Sequence, residues 1–111
     1  MHIEFLWFDG CRNYQHARNL LRNRLKARDM KVRVHDVIVT DPDVGAEVLF
    51  PGSPTIRIDG IDVEPNHQAA TEFTLRSRLY PTSEGLQGLP EPAWIDAALD
   101  RALGIEPDSA V

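Results

Sequence analysis

Cysteine is the scarcest chemistry in this chain: there is one, Cys11, in 111 residues. One thiol makes no intrachain disulfide and no multi-cysteine metal site, which excludes a disulfide scaffold and a cysteine-rich zinc module. A reducing, cytoplasmic compartment is the expectation. Long hydrophobic runs are missing too. None approaches the roughly 18 residues of a membrane span, so no membrane partner is expected. The N-terminus has no basic region leading into an apolar stretch and a small-residue cleavage site, so no secretory leader is expected. There is no glycine-rich phosphate loop, and Ser53 sits in no nucleophile elbow and has no triad. The four histidines, His2, His16, His35 and His67, lack metal-ligand spacing and read as solvated or structural, so no metal is expected. Asp59 and Asp62 flank a turn signal and need no catalytic explanation.

What is present describes one ordinary domain. Hydrophobic residues make up 42% and charged residues 26%, which is globular rather than disordered. A single domain over residues 1–106 is expected, with 107–111 as a frayed tail. The net charge is −5, but it is unevenly placed. Residues 10–33 hold eight of the twelve basic side chains against one acid, Asp29. Such a segment attracts anions, or is simply the solvated face of a helix. Only one aromatic residue, Tyr14, falls among these arginines, which is no series of rings to stack on bases, so no nucleic acid is expected.

Hydrophobic patterning sets the order of elements. Residues 2–8, His-Ile-Glu-Phe-Leu-Trp-Phe, read as a strand buried on both faces and central in its sheet. Residues 13–28 are helical, with Ala17, Leu20, Leu21 and Leu25 on one face and arginines on the other. Residues 31–39 are β-branched and predict a second strand, in which Asp36 interrupts the alternation and marks a bulge or an exposed end. Asp41-Pro42 starts a short helix to about Leu49. Thr55–Ile58 and Ile61–Val63 flank Asp59-Gly60, a hairpin signal. Residues 92–103 form a last helix on Trp94, Ile95, Ala98, Leu99 and Ala102. The predicted class is α/β, in the order β-α-β-α-β-β-α, with a mixed four-stranded sheet flanked by helices. Residues 64–91 form a long loop insertion, packed through Phe73, Leu75, Leu79, Tyr80, Leu86 and Leu89.

Cys11 follows the first strand and precedes the first helix, where backbone N–H groups gather positive charge. A thiolate is favoured in such a field, and Arg12 adds to it while Asp9 opposes it. Tyr14 and Gln15 share the helix face with Cys11, whereas His16 points elsewhere, so no Cys-His pair is expected. Equally, Cys11 reads as a small buried hydrophobe. Ser53-Pro54 opens the third strand, and by default its bond is an ordinary trans one.

Phe8-Asp-Gly-Cys11-Arg-Asn13, Gly52-Ser-Pro-Thr-Ile-Arg57, Asp59-Gly60 with Val63-Glu-Pro65, Arg78-Leu-Tyr80, and Gly85-Leu-Gln-Gly-Leu-Pro90 before Trp94 carry a resemblance. Together they resemble a group of small bacterial thioredoxin-like proteins, glutaredoxin-like in outline, over nearly the whole chain. The resemblance implies a thioredoxin-like fold with Cys11 at the redox position and Pro54 at the cis-proline position. It implies that the Ser53 backbone pairs with an extended substrate as an added strand. Two departures count. Tyr14 stands where thioredoxin-type oxidoreductases carry their second cysteine, and Ser77 stands where the group is expected to carry one. No resolving thiol exists, so an internal two-cysteine cycle is closed to one molecule acting alone. A slight resemblance to alkylmercury lyases is undercut in the same way, because one cysteine supplies no pair of thiolates to take up the metal.

The resemblance therefore implies monothiol chemistry at Cys11, that of a thiol-disulfide oxidoreductase without a bound cofactor. A small thiol such as glutathione would serve as co-substrate, and sulfenic acid is a second outcome. Substrate contacts are expected from Arg12, Tyr14, Ser53, Pro54, Thr55 and Arg76, with Arg12 and Arg76 holding carboxylates of the small thiol or standing as surface arginines. Expected partners are protein or small-molecule thiols and disulfides, the chain itself being a monomer or weak homodimer. The alternative is a redox-inert binding module whose groove beside Pro54 takes an extended peptide.

Overall fold

A computed structural model describes residues 1–105; the predicted tail, 107–111, lies outside the described residues. The chain runs β1 (Ile3–Trp7), α1 (Tyr14–Ala27), β2 (Val34–Ile38), α2 (Pro42–Glu47), β3 (Thr55–Ile58), β4 (Ile61–Asp62), β5 (Tyr80–Thr82), β6 (Gly85–Gln87) and α3 (Pro92–Ala102). The first four strands form one mixed sheet in the order β2-β1-β3-β4. β1 is parallel to β2 and antiparallel to β3, and β3 is antiparallel to β4.

The central place of β1 explains its unbroken apolar run. Ile3 and Phe5 point to one face and pack against Ala17, Leu21 and Leu25 of α1 and Ile95, Ala98 and Leu99 of α3. Leu6 points to the other face and packs with Val39 and Phe50 beside Val44 and Val48 around α2. The sheet thus has two helices on one side and one on the other. Each fully buried Leu, Ile or Phe contributes about 1.5–3 kcal/mol of transfer free energy. The basic stripe of α1 is partly neutralised by acids of α3. Arg24 donates to Asp96 at 2.8 and 3.0 Å, and Arg28 donates to Asp100 at 2.7 Å.

Local signals account for the punctuation. Asp41 caps α2, its carboxylate accepting from the Val44 N–H at 3.0 Å with Pro42 at the first helical position. At the other end of α2 the Arg57 guanidinium donates to the Val48 and Leu49 carbonyls at 2.7 and 2.9 Å. Asp59 and Gly60 both adopt positive φ, +53° and +80°, which closes the β3–β4 hairpin.

Two expectations need correction. Asp36 marks neither a bulge nor the strand's end, although it is exposed: it lies mid-strand, and the β1–β2 register runs without interruption from Ile3 opposite Val34 to Trp7 opposite Ile38. Its carboxylate instead accepts from the Trp7 indole N–H at 3.1 Å and from Arg18. Residues 64–91 are not simply a loop. They contain the β5–β6 hairpin, and residue Ser77 forms a parallel bridge with Ser53. Packing in this segment is also uneven. Tyr80 is buried and Leu89 lies against the core, while Leu75 and Leu79, ahead of the hairpin, and Leu86, on β6 of the separate two-stranded sheet, are exposed. The chain order therefore carries one hairpin more than the predicted β-α-β-α-β-β-α.

Candidate functional site

The register of β1 against β3, with Leu6 opposite Thr55, brings the two regions singled out in the sequence to one end of the sheet. The chain leaves β1 at Phe8, turns through Asp9 and Gly10, and returns to Cys11, whose N–H donates to the Phe8 carbonyl at 3.1 Å. Ser53 and Pro54 enter β3 at that same end. The Ser53–Pro54 peptide bond is cis. Cys11 is a free thiol and only 7% exposed. The helix starts later than a Cys11-centred reading expects: Tyr14 is its first residue and Asn13 its N-cap.

Tyr14 stacks on Trp7 with ring centroids 4.4 Å apart. Arg18 lies over the rings of Phe5 and Tyr14 and pairs with Asp36. The Arg18 hydrogen bond holds the Asp36 carboxyl below the ordinary range, against a smaller opposing effect of burial and with help from Trp7. Arg12 and Arg76 are exposed and enter no ion pair among the described residues. Neither is bound to another residue of the site through its side chain.

Ser53 departs most from expectation. It does not present free backbone. Its N–H donates to the Arg76 carbonyl and its carbonyl accepts from the Arg78 N–H, both at 2.9 Å. The edge beside Pro54 is already paired with residues 76–78 of the same chain. Thr55 is likewise engaged: its hydroxyl donates to the Gly52 carbonyl at 2.7 Å and accepts from Arg78 at 2.9 Å. The Ser53 hydroxyl is different. It is buried and has no hydrogen-bond partner among the described residues, an uncommon condition for a polar atom.

Arg78 is the residue that sequence reasoning missed. It is 5% exposed. Its guanidinium donates to both carboxylate oxygens of Asp62 at 2.7 and 2.9 Å and to Glu64 at 3.1 Å, and lies 3.2 Å from Nδ1 of His67. It also sits 4.2 Å from the ring centroid of Tyr80. Burial is the largest single effect and opposes its charge, but the Asp62 hydrogen bond, the Tyr80 and Asp62 charges and the Glu64 bond together outweigh it and hold the guanidinium above its ordinary value. Tyr80 is fully buried and donates its hydroxyl to the Pro54 carbonyl at 2.5 Å. Burial pushes its phenol well above the ordinary value. Asp62 and His67, read from sequence as a turn flank and a solvated or structural histidine, are both parts of this cluster. No local signal marked it: Arg78 is buried and Leu79 exposed, the reverse of what their side-chain hydropathy suggests.

The segment after β6 closes over the start of α1. Gly88 lies so close to the Asn13 side chain that a Cβ there would overlap it. A cleft of about 510 Å³ opens elsewhere, between α1 and β2 over Leu21, Leu25, Met30 and Val32. Among the described residues no group of three or more His, Cys, Asp or Glu side chains is placed to hold a metal, and no helix is long and apolar enough to cross a membrane. Comparison with protein-family models, with curated proteins and with solved structures finds no match to this chain.

Proposed function

We propose that the protein is a thioredoxin-like redox protein with a single-cysteine site, in which the Cys11 thiol is the nucleophile. One observation carries this reading. A sheet ordered β2-β1-β3-β4 brings the turn holding Cys11 and the Ser53-Pro54 step together at one end. That is the layout in which a thioredoxin-like protein carries its reactive sulfur. Tyr14 and Ser77 supply no second thiol, so the cycle is a monothiol one.

The chemistry then has two exchanges. The Cys11 thiolate attacks one sulfur of a disulfide R–S–S–R′. The S–S bond breaks, a Cys11–S–S–R mixed disulfide forms, and R′S⁻ leaves and takes up a proton. A low-molecular-weight thiolate R″S⁻ then attacks the R sulfur, releasing R–S–S–R″ and restoring the Cys11 thiolate. The disulfide is moved from one pair of sulfurs to another, with no net oxidation of the protein. Arg12 and Arg76, both exposed at this end or on the segment covering it, are the cations available to a carboxylate-bearing thiol. A reducing, cytoplasmic compartment suits this chemistry.

The test is to incubate the protein with glutathione disulfide, quench with acid and weigh it. One glutathionyl adduct on Cys11, removed by excess glutathione and absent from Cys11→Ser, is the expected result. An unmodified native protein, with adduct formed only in denaturant, overturns the reading. The redox-inert alternative draws on the burial of Cys11, and that second result is the one it expects. The groove which that alternative assigns to a peptide is, however, already lined by residues 76–78 of the chain itself.

A further inference from the structure

Resting on the reading of Cys11 as the nucleophile, we infer that its substrates are low-molecular-weight disulfides and not extended polypeptides. An extended peptide docks on a sheet edge by exchanging backbone hydrogen bonds, so it needs a free N–H and a free carbonyl. Beside Pro54 those groups belong to Ser53, and both are consumed. The N–H is bonded to the Arg76 carbonyl and the carbonyl to the Arg78 N–H, each at 2.9 Å. A polypeptide substrate would first have to peel residues 76–78 away.

That strap is held from several directions. The Arg78 guanidinium is locked to Asp62, Glu64 and the Thr55 hydroxyl. Lifting it would leave two largely buried carboxylates without their cation, an unfavourable state. Gly52, next to Ser53, has φ +123°, and a Cβ there would lie 3.1 Å from the Arg78 Cβ and 3.3 Å from the Arg76 carbonyl. The strap and the Ser53 loop are thus packed backbone against backbone, with no slack for a third strand. Steric access points the same way. Cys11 exposes little surface, and the Gly88 segment covers the neighbouring Asn13. So little exposed sulfur favours a slender disulfide over a chain with side chains on both faces. The Ser53 hydroxyl, buried and unpartnered, is the polar group this loop leaves unmet. It is a side-chain group, not a backbone ladder.

The experiment compares two disulfides with a common leaving thiol on the unmodified protein. One is hydroxyethyl disulfide. The other is an unstructured ten-residue peptide whose single central cysteine is capped with 2-mercaptoethanol. Each rate is divided by that of an unstructured cysteine peptide attacking the same disulfide. The small disulfide should react at least ten-fold faster than the peptide disulfide after this correction. Equal rates, or a faster peptide, would overturn the inference while leaving Cys11 as a nucleophile. If neither disulfide reacts, iodoacetamide separates the two failures: alkylation of native Cys11 shows that only the substrate class is wrong, and no alkylation sinks the reading beneath it. Arg78→Gln sharpens the result, because loosening the strap should narrow the ratio toward one. Where that variant does not fold, amide exchange of Ser53 and Arg78 in the wild-type chain replaces it. Slow exchange of both is expected, and fast exchange of either would contradict a closed edge.

Discussion

Cys11 and Arg78 are both buried, yet they are held in opposite ways. The turn at Cys11 is tied by one backbone bond to Phe8, and its neighbours are an aromatic stack and an exposed arginine. Arg78 is surrounded by two carboxylates, a hydroxyl, an imidazole and an aromatic face. A buried thiol is a small apolar group and needs little. A buried guanidinium must be paired or it does not stay buried. The thiol proposed to react is therefore lightly held, and the side chain that shapes the loop at the same end of the sheet is fixed by charge.

That contrast predicts its largest effect in stability. Arg78→Ala leaves Asp62 and Glu64 unpaired in a buried site and should cost about 3–5 kcal/mol. Cys11→Ser should stay within about 1 kcal/mol of the parent. Urea unfolding midpoints at unchanged slope measure both. Similar losses for the two variants would erase the distinction.

A smaller effect separates the two covers of this end of the sheet. Gly52→Ala combines positive φ with contact to Arg78 and Arg76 backbone and Cβ atoms, and should cost roughly 1–3 kcal/mol. Gly88→Ala meets only the end of the Asn13 side chain, which can swing aside, so it should cost less than about 1 kcal/mol. Thermal or urea denaturation decides between them, and a larger loss at Gly88 would reverse the ranking of the two covers.

The smallest effect lies on the Cys11 side, at Asp36. Its carboxyl is depressed chiefly by Arg18. A depressed folded value means stability fully present above the unfolded carboxyl value of about 3.9 and lost as pH falls through the folded one. Arg18→Gln should move the Asp36 titration up toward that ordinary value in a carboxyl NMR experiment. The pair is partly exposed, so the stability at stake is below about 1 kcal/mol. An Asp36 that already titrates at the ordinary value in the parent protein would remove this contact from the account.

The same contrast explains what was legible in the sequence. The 3.6-residue repeat of Ala17, Leu21 and Leu25, the Asp41-Pro42 start and the Asp59-Gly60 turn are local signals, and each element lies within a few residues of its expected bounds. The shared end of Cys11 and Ser53-Pro54 was legible through element order. The Arg78 cluster was not. Its partners lie 11 to 23 residues away along the chain, across a segment with no period to read. A buried arginine carries no mark in sequence that sets it apart from exposed Arg76, two residues earlier. The closing of the Ser53 edge by residues 76–78 was hidden for the same reason, since one parallel bridge leaves no repeating pattern.

The account stands most directly on whether the Cys11 sulfur reacts in the folded protein. Iodoacetamide labelling followed by mass, on native and urea-unfolded chains at neutral pH, measures this. The account predicts that native Cys11 is alkylated at least as fast as in the unfolded chain. Labelling that waits for unfolding would contradict it.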